Sequence, residues 1–366
     1  MIPKGCIEEC RGCKHREWSM EASLEQKFNF LVSKLSEWKH ALSPVISAPD
    51  AQRWGYRFKT MLNAKWDENG WHFGTISRDE LIDIPECPLH KNEVNRALGL
   101  LRDTLPSGID FPLAFYVQAS AQVVLIVKSR GASSYAWFTD SVKDELITLG
   151  VRGLWVHYNP SAGRRLYEKT HWELLFGEKR SIDSNGLLYG PGTFQQLIPS
   201  LYKQSLDEAT TFFSPTINHA IVDLYCGTGT SMSRWVALGA SVMGVEVGGE
   251  AVECAKLNAP QATILRGACR QRIPQIRDWV IQQKNQKREV YLYVNPPRTG
   301  IEQEVLDWIA GEGKPNKIAY LSCSAGTLFK NLAVLTQNGY KVCRLIPYDF
   351  FPQTIHVECL ALIEKV

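Results

Sequence analysis

No run of apolar residues approaches the ~18 that a membrane-spanning helix requires, so no membrane partner is expected. The first residues, Met1-Ile2-Pro3-Lys4-Gly5-Cys6, hold no apolar stretch of the kind that opens a secretory signal, and the expected compartment is the cytoplasm. Internal repeats, low-complexity tracts and long linkers are also missing, which excludes a repeat array. A large excess of one charge is absent too. Forty-one Lys and Arg stand against 38 Asp and Glu, a formal +3. This balance permits a nucleic-acid partner without demanding one, because a local basic face matters more than the total. What remains, 366 residues with 45% hydrophobic and 22% charged side chains, is an ordinary folded chain long enough for two domains.

Cysteine is plentiful. There are ten, and in a reducing compartment disulfides are rare while clustered thiols more often hold metal. Cys6, Cys10 and Cys13 crowd the N-terminus, Cys87 precedes Pro88, and six more lie between Cys226 and Cys359. The uneven spread reads as one metal site plus working or buried thiols. Four thiolates from two segments suit tetrahedral zinc or an iron–sulfur cluster, and spacing alone leaves both open. His15 and His90, beside these cysteines, are alternative ligands, but the expected reading for each is an exposed histidine.

Phe28, Phe30, Leu31, Leu35 and Trp38 recur near helical spacing and predict a helix over 26–39. Residues 53–84 are strand-like around a hairpin turn at Asp67-Glu68-Asn69-Gly70. Further strands are expected at 113–127 and 154–157, with a helix near 142–150. The first half is thus α+β with antiparallel pairs. Composition shifts over 205–215. Beyond it, apolar runs at 220–225, 241–246, 262–265, 290–294 and 318–321 alternate with helical stretches, as in a parallel sheet buried on both faces. The last two strands, 340–347 and 356–363, have no helix between them and are expected to pair antiparallel. A boundary near residue 204 divides the chain into an α+β domain, 1–204, and a Rossmann-like α/β domain, 205–366.

Val222-Asp223-Leu224-Tyr225-Cys226-Gly227-Thr228-Gly229 follows the first buried strand and opens a helix. Gly227 and Gly229 allow a sharp turn and close approach of a ligand. The third glycine of a dinucleotide signature is replaced by Met232, while Glu246 ends the next strand, where an acid holds ribose hydroxyls. This combination suits S-adenosylmethionine, which has no phosphates to cradle. Asn295-Pro296-Pro297-Arg298 ends the fourth strand at the sheet's carboxyl edge, where doubly wound folds bind ligands. Amino-methyltransferases also carry Asn-Pro-Pro there, usually followed by an aromatic in place of Arg298. The next strand ends in Ser322-Cys323-Ser324, which puts Cys323 at the same edge.

These motifs, with the tail Phe351-Pro352-Gln353-Thr354-Ile355-His356-Val357-Glu358, occur in an order that resembles the RNA uracil-C5 methyltransferase family. The resemblance covers essentially the whole chain and is similar in pattern to the small bacterial enzymes acting on 23S ribosomal RNA. It implies a class I fold using S-adenosylmethionine, with Cys323 as the nucleophile that adds to uracil C6 and Glu358 as the base that removes the C5 proton. It implies Gln195, Tyr225, Glu246 and Asn295 as cofactor contacts beside the Gly227 and Gly229 turn. On Cys6, Cys10, Cys13 and Cys87 it implies a [4Fe-4S] cluster, with zinc as the alternative. The implied partner is RNA, rRNA first and tRNA second, bound by a monomer. Arg298 and Asp349 match family positions without an assigned role.

The chain departs from the family at Leu197, at Ser324-Ala325 and at Ala268-Cys269. A free thiol near pKa ~8.5 is mostly protonated at neutral pH, so Cys323 is expected to need local activation. Arg53-Trp54-Gly55-Tyr56-Arg57-Phe58-Lys59 resembles the family's RNA-facing strand. A second segment, Arg164 through Trp172, mixes cations with rings able to stack on unpaired bases. Two other readings compete: an amino-methyltransferase without covalent catalysis, and a non-catalytic RNA-binding or redox-sensing protein.

Overall fold

A computed structural model describes residues 3–131, 134–163 and 166–366. The chain divides into two units, Met1–Glu17 with Pro49–Leu197, and Trp18–Ala48 with Ile198–Val366. This differs from a single boundary near residue 204. Residue 204 falls within a helix, Pro199–Phe213, and 18–48 packs with the C-terminal unit. Helix α1 (Met20–Lys34) is capped by Ser19, whose Oγ accepts from the Ala22 N–H at 3.2 Å. Its Leu31, with Leu35 and Trp38 just beyond it, is buried in the core of the second unit. The expected 26–39 helix therefore starts earlier, and its end is a 3-10 turn over Ser36–Ala41.

In the first unit, β1 (Lys59–Asp67), β2 (Gly70–Ser77), β3 (Glu80–Asp83), β4 (Leu113–Ala119), β5 (Gln122–Val127), β6 (Gly153–Tyr158) and β7 (Trp172–Gly177) form one sheet in the order β3-β2-β1-β4-β5-β6-β7. The Asn69-Gly70 turn closes the first hairpin on an Asp67–Gly70 pair, and the Asp67 carboxylate accepts from the Asn69 N–H at 2.8 Å. Two helices cover one face of the sheet. Helix α2 (Asn92–Thr104), absent from the sequence reading, turns Val94, Ala97, Leu98 and Leu101 to the core at helical spacing. Helix α3 (Asp140–Thr148) forms the crossover that makes β5 and β6 a parallel pair. A short ladder, β8 (Ser181–Ile182) with β9 (Leu188–Tyr189), ends the unit.

The second unit continues with α4 (Pro199–Phe213), β10 (His219–Leu224), α5 (Thr230–Ala237), β11 (Ser241–Glu246), α6 (Gly249–Asn258), β12 (Thr263–Arg266) and α7 (Cys269–Asn285). Then come β13 (Glu289–Val294), α8 (Gln303–Trp308), β14 (Lys317–Ser322), α9 (Ala325–Gln337), β15 (Tyr340–Tyr348) and β16 (Glu358–Lys365). The sheet order is β12-β11-β10-β13-β14-β16-β15. The first five strands run parallel, and their central members are buried on both faces because helices cover both sides. Strand β16 slots antiparallel between β14 and β15. Its first residues therefore reach the same sheet edge as the last residues of β14. Among the described residues, no helix is long and apolar enough to cross a membrane.

Candidate active site

Where β10 ends, three left-handed residues fold the chain back on itself: Tyr225 (φ 59°), Gly227 (φ 55°) and Gly229 (φ 83°). A bulky residue at positive φ is uncommon and marks a conformation that its surroundings enforce. A Cβ on Gly229 would meet Ala255 of α6 at 3.1 Å, so glycine serves both the turn and the close helix approach. Glu246, closing β11, accepts from the Gly227 N–H at 3.1 Å and the Gly248 N–H at 2.6 Å, tying two loops together. The residue in the third-glycine position, Met232, is fully buried. The close helix–strand packing that such a glycine gives is supplied by Gly244 of β11, where a Cβ would fall 2.4 Å from the Met232 sulfur. The Asn295 N–H donates to the Leu224 carbonyl at 3.4 Å, which sets the Asn-Pro-Pro turn beside this loop. Tyr225, Gly227, Gly229, Glu246 and Asn295 thus gather at one edge. Gln195 belongs to the other unit, and its Oε1 is buried with no hydrogen-bond partner among the described residues.

Ser322 pairs with Cys359 across β14 and β16. Cys323 directly follows β14 and Glu358 opens β16, so the two come just beyond that pair, close enough for the Glu358 charge to act on the thiol. Glu358 is buried and Cys323 half-buried. Burial and the Glu358 charge both hold the Cys323 thiol above its ordinary range, while Arg298 works downward. The expected local activation of Cys323 is therefore not built into the resting site. Ser324, in a departure position, is the N-cap of α9, its Oγ accepting from the Thr327 N–H at 3.4 Å. Sequence reading missed a buried acid beneath the loop. Asp223 is fully buried, accepts from Trp235 Nε1 at 3.1 Å, and is pushed up to about 7 by burial.

Cys6, Cys10, Cys13 and Cys87 line one cavity with Arg16, Trp54, Ile84 and Leu89, and among the described residues no carboxylate borders it. Burial and the neighbouring Cys87 push the Cys13 thiol up to about 12. Among the described residues, no three His, Cys, Asp or Glu converge closely enough to hold an ion. Arg16 organises the N-terminal loop, donating to the carbonyls of Ile7 (3.1 Å), Glu8 (2.9 Å) and Cys10 (2.9 Å), with Cys6 Sγ at 3.8 Å. Asn95 Nδ2 holds the Cys87 carbonyl at 3.1 Å. The two histidines are not exposed: His15 and His90 are both buried. Both ring nitrogens of His90 are occupied, Nε2 with Thr60 Oγ1 (3.2 Å) and Nδ1 with Asn95 Oδ1 (3.0 Å), which leaves none for a metal.

The two basic segments differ from expectation. Arg53 and Tyr56 are buried, while Trp54, Gly55, Arg57, Phe58 and Lys59 remain partly accessible. In the second, Arg164 and Arg165 lie outside the described residues. Trp172 stacks on His157 with ring centroids 4.2 Å apart, Tyr167 lies 5.3 Å from Trp172, and Trp172 Nε1 donates to the Glu168 carbonyl. These rings pack against each other over the sheet.

A family model described as tRNA (Uracil-5-)-methyltransferase matches residues 192–366. An uncharacterized RNA methyltransferase of Protochlamydia amoebophila is 26% identical over 381 residues, 98% of this chain and 82% of its own length. A 23S rRNA (uracil(1939)-C(5))-methyltransferase of Shewanella baltica is 26% identical, covering 97% of this chain and 80% of its own. Among solved structures, the Pyrococcus abyssi tRNA (uracil-54, C5)-methyltransferase bound to S-adenosyl-L-homocysteine matches with a TM-score of 0.68. That match spans 94% of this chain and 83% of the other at 18% identity, and it shows the Rossmann-like α/β fold.

Proposed function

The chain belongs to the RNA uracil-C5 methyltransferase family, and from that premise we propose that it methylates C5 of a uridine in RNA, 23S rRNA in particular, through a transient Cys323–C6 bond. The observation that supports this reading is the β14–β16 pairing, since a thiol just past β14 and a carboxylate opening β16 lie at the edge where the parallel strands end. Uracil C5 is a weak nucleophile. Addition of the Cys323 thiolate to C6 converts the ring to an enolate and raises electron density at C5. S-adenosylmethionine, when bound, supplies the methyl electrophile. Glu358 then takes the proton that C5 still carries, the C5–C6 double bond re-forms, and the C6–S bond breaks to return the thiolate. Because the resting thiol is held up by burial and by Glu358, the Cys323 proton passes to water as the substrate enters and the thiolate forms.

Tyr225, Gly227, Gly229, Glu246 and Asn295 are proposed to hold the cofactor. The support is their shared edge and the glycine turn open to a ligand; Gln195 joins them on the family resemblance alone. A uridine inside a duplex cannot be attacked at C6, so the base is flipped or already looped out. We further propose a [4Fe-4S] cluster on Cys6, Cys10, Cys13 and Cys87, supported by four soft donors lining one cavity. The enzyme is proposed to act as a cytoplasmic monomer.

The test is methyl transfer and tritium release from 5-³H-uridine RNA of cells lacking this protein. Wild type releases tritium in step with methylation. Cys323→Ala loses both, together with any RNA adduct that survives denaturation. Retained activity in Cys323→Ala overturns the covalent reading and favours an amino-methyltransferase. Absence of cofactor binding by calorimetry favours a non-catalytic RNA binder. For the metal, anaerobically purified protein is expected to be brown, with iron and sulfide in equal amount; a colourless protein with one zinc per chain overturns the cluster.

A further inference from the structure

The loop 349–357 joins β15 to β16 and delivers Glu358, and it is fastened by a segment more than 300 residues earlier in the chain. Lys27 of α1 places its Nζ 2.5 Å from Asp349 Oδ1 and 3.2 Å from the Phe351 carbonyl. Both charged side chains are fully buried. Backbone hydrogen bonds extend the same fastening: Ser43 N–H to Leu345 O, Ile46 N–H to Pro347 O, and Asp349 N–H to Ile46 O, each 2.8 Å. Residues 42–46 thereby run along the outer edge of β15. Tyr348, the residue before Asp349, is the direct cross-strand partner of Glu358. The tether thus acts one residue away from the rung that carries the proposed base.

A buried ion pair is weak evidence for stability, since desolvation offsets much of its attraction and apolar replacements are often neutral. Location is the informative feature here. A lysine confined to the interior holds two consecutive anchor points, a carboxylate and a carbonyl, at the entrance of one loop. We propose that Lys27 is a positioning residue: through Asp349 and the Phe351 carbonyl it fixes 349–357 so that Glu358 meets the C5 proton. The inference rests on the covalent reading proposed above. Its specific consequence is that loss of the tether slows proton removal after the thiol has added, so the methylated adduct persists.

The experiment compares the full wild-type chain with Lys27→Met and with Lys27→Met/Asp349→Asn, in single turnover on the same 5-³H-uridine RNA. Tritium release, the fraction of RNA–protein adduct stable to denaturant, and melting temperature are read together. Lys27→Met is expected to release tritium at least tenfold more slowly, with a matching rise in adduct, and to melt lower. The double variant also removes the buried Asp349 charge, so its melting temperature recovers while release stays slow, because the Phe351 carbonyl keeps only its donors within the loop, Thr354 N–H and Oγ1, and is no longer tied to α1. Should Lys27→Met fail to fold, the double variant alone carries the comparison. Release that recovers with melting temperature, or that never slows, overturns the positioning role and leaves a purely structural pair. Wild-type protein giving neither adduct nor tritium release overturns the covalent reading itself, and the inference with it.

Discussion

Ser322 and Cys359 face each other across β14 and β16, and just beyond that pair come Cys323, which follows β14, and Glu358, the first residue of β16. The carboxylate raises the thiol and Arg298 lowers it, in opposition on one sulfur. Removing the Glu358 charge should therefore lower the Cys323 pKa and increase its thiolate at a fixed pH. Glu358→Gln is expected to alkylate at Cys323 with iodoacetamide roughly 3–10-fold faster than wild type at pH 8, and Arg298→Met more slowly than wild type. Peptide mass spectrometry resolves this cysteine from the other nine. Equal rates in Glu358→Gln and wild type would separate the two residues electrostatically.

Asp223 gives a pH dependence of opposite origin. Burial raises its carboxyl to about 7, against an ordinary 3.8, even though Trp235 donates to it. The folded protein binds this proton more tightly than the unfolded chain, so the contribution to stability is present below pH 3.8 and is lost as pH rises through 7. Asp223→Asn keeps an acceptor for Trp235 and has no charge to bury. Its melting temperature relative to wild type should climb by several degrees between pH 5 and pH 8 in the absence of ligand. A constant difference across that range contradicts a buried, titrating Asp223.

The elements that sequence pattern reveals here are those whose residues need no distant partner to explain them. The apolar run 241–246 and the Asn69-Gly70 turn are strand and hairpin by their own chemistry, and both are found in place. Helix α2 had the right period at Val94, Ala97, Leu98 and Leu101, but it lay between two strand-like stretches that drew the reading. The apolar stripe of Leu31, Leu35 and Trp38 shows that the segment packs, not which core receives it, so 18–48 was placed with the wrong neighbours. An antiparallel final pair was legible. Insertion of β16 between β14 and β15 was not, yet that insertion is what brings Glu358 to the Cys323 edge. His90 read as exposed because its ring partners, Thr60 and Asn95, satisfy it only in three dimensions.

Arg16 offers a prediction that holds whether or not the four cysteines bind a metal. Its guanidinium donates to three carbonyls of the loop that carries Cys6 and Cys10. Hydrogen bonds from a charged donor are stronger than neutral ones, and this loop has no regular secondary structure of its own to replace them. Arg16→Met should speed amide exchange over residues 6–13 by tenfold or more while leaving the strands of the second unit unchanged. Hydrogen-exchange mass spectrometry reads both regions in one sample. Exchange over 6–13 equal to wild type would mean that the loop is held by something other than Arg16.

Lys59, which is half-buried, also has a legible pH signature. Its Nζ donates to the Thr193 carbonyl at 2.9 Å and lies 4.9 Å from the Phe194 ring centroid, next to Gln195. Burial lowers its pKa from an ordinary 10.5 to about 8. Between those values the unfolded chain holds more protons than the folded one, so this residue's contribution to stability increases as pH rises. Below pH 8 both states are charged, and the folded state bears the full cost of a poorly solvated ammonium. Lys59→Met removes the titration. The melting temperature of wild type minus that of Lys59→Met should therefore be larger at pH 9.5 than at pH 7.5, measured by differential scanning fluorimetry in one buffer series. A difference that shrinks with pH would place Lys59 in water, with the Thr193 carbonyl held by another donor.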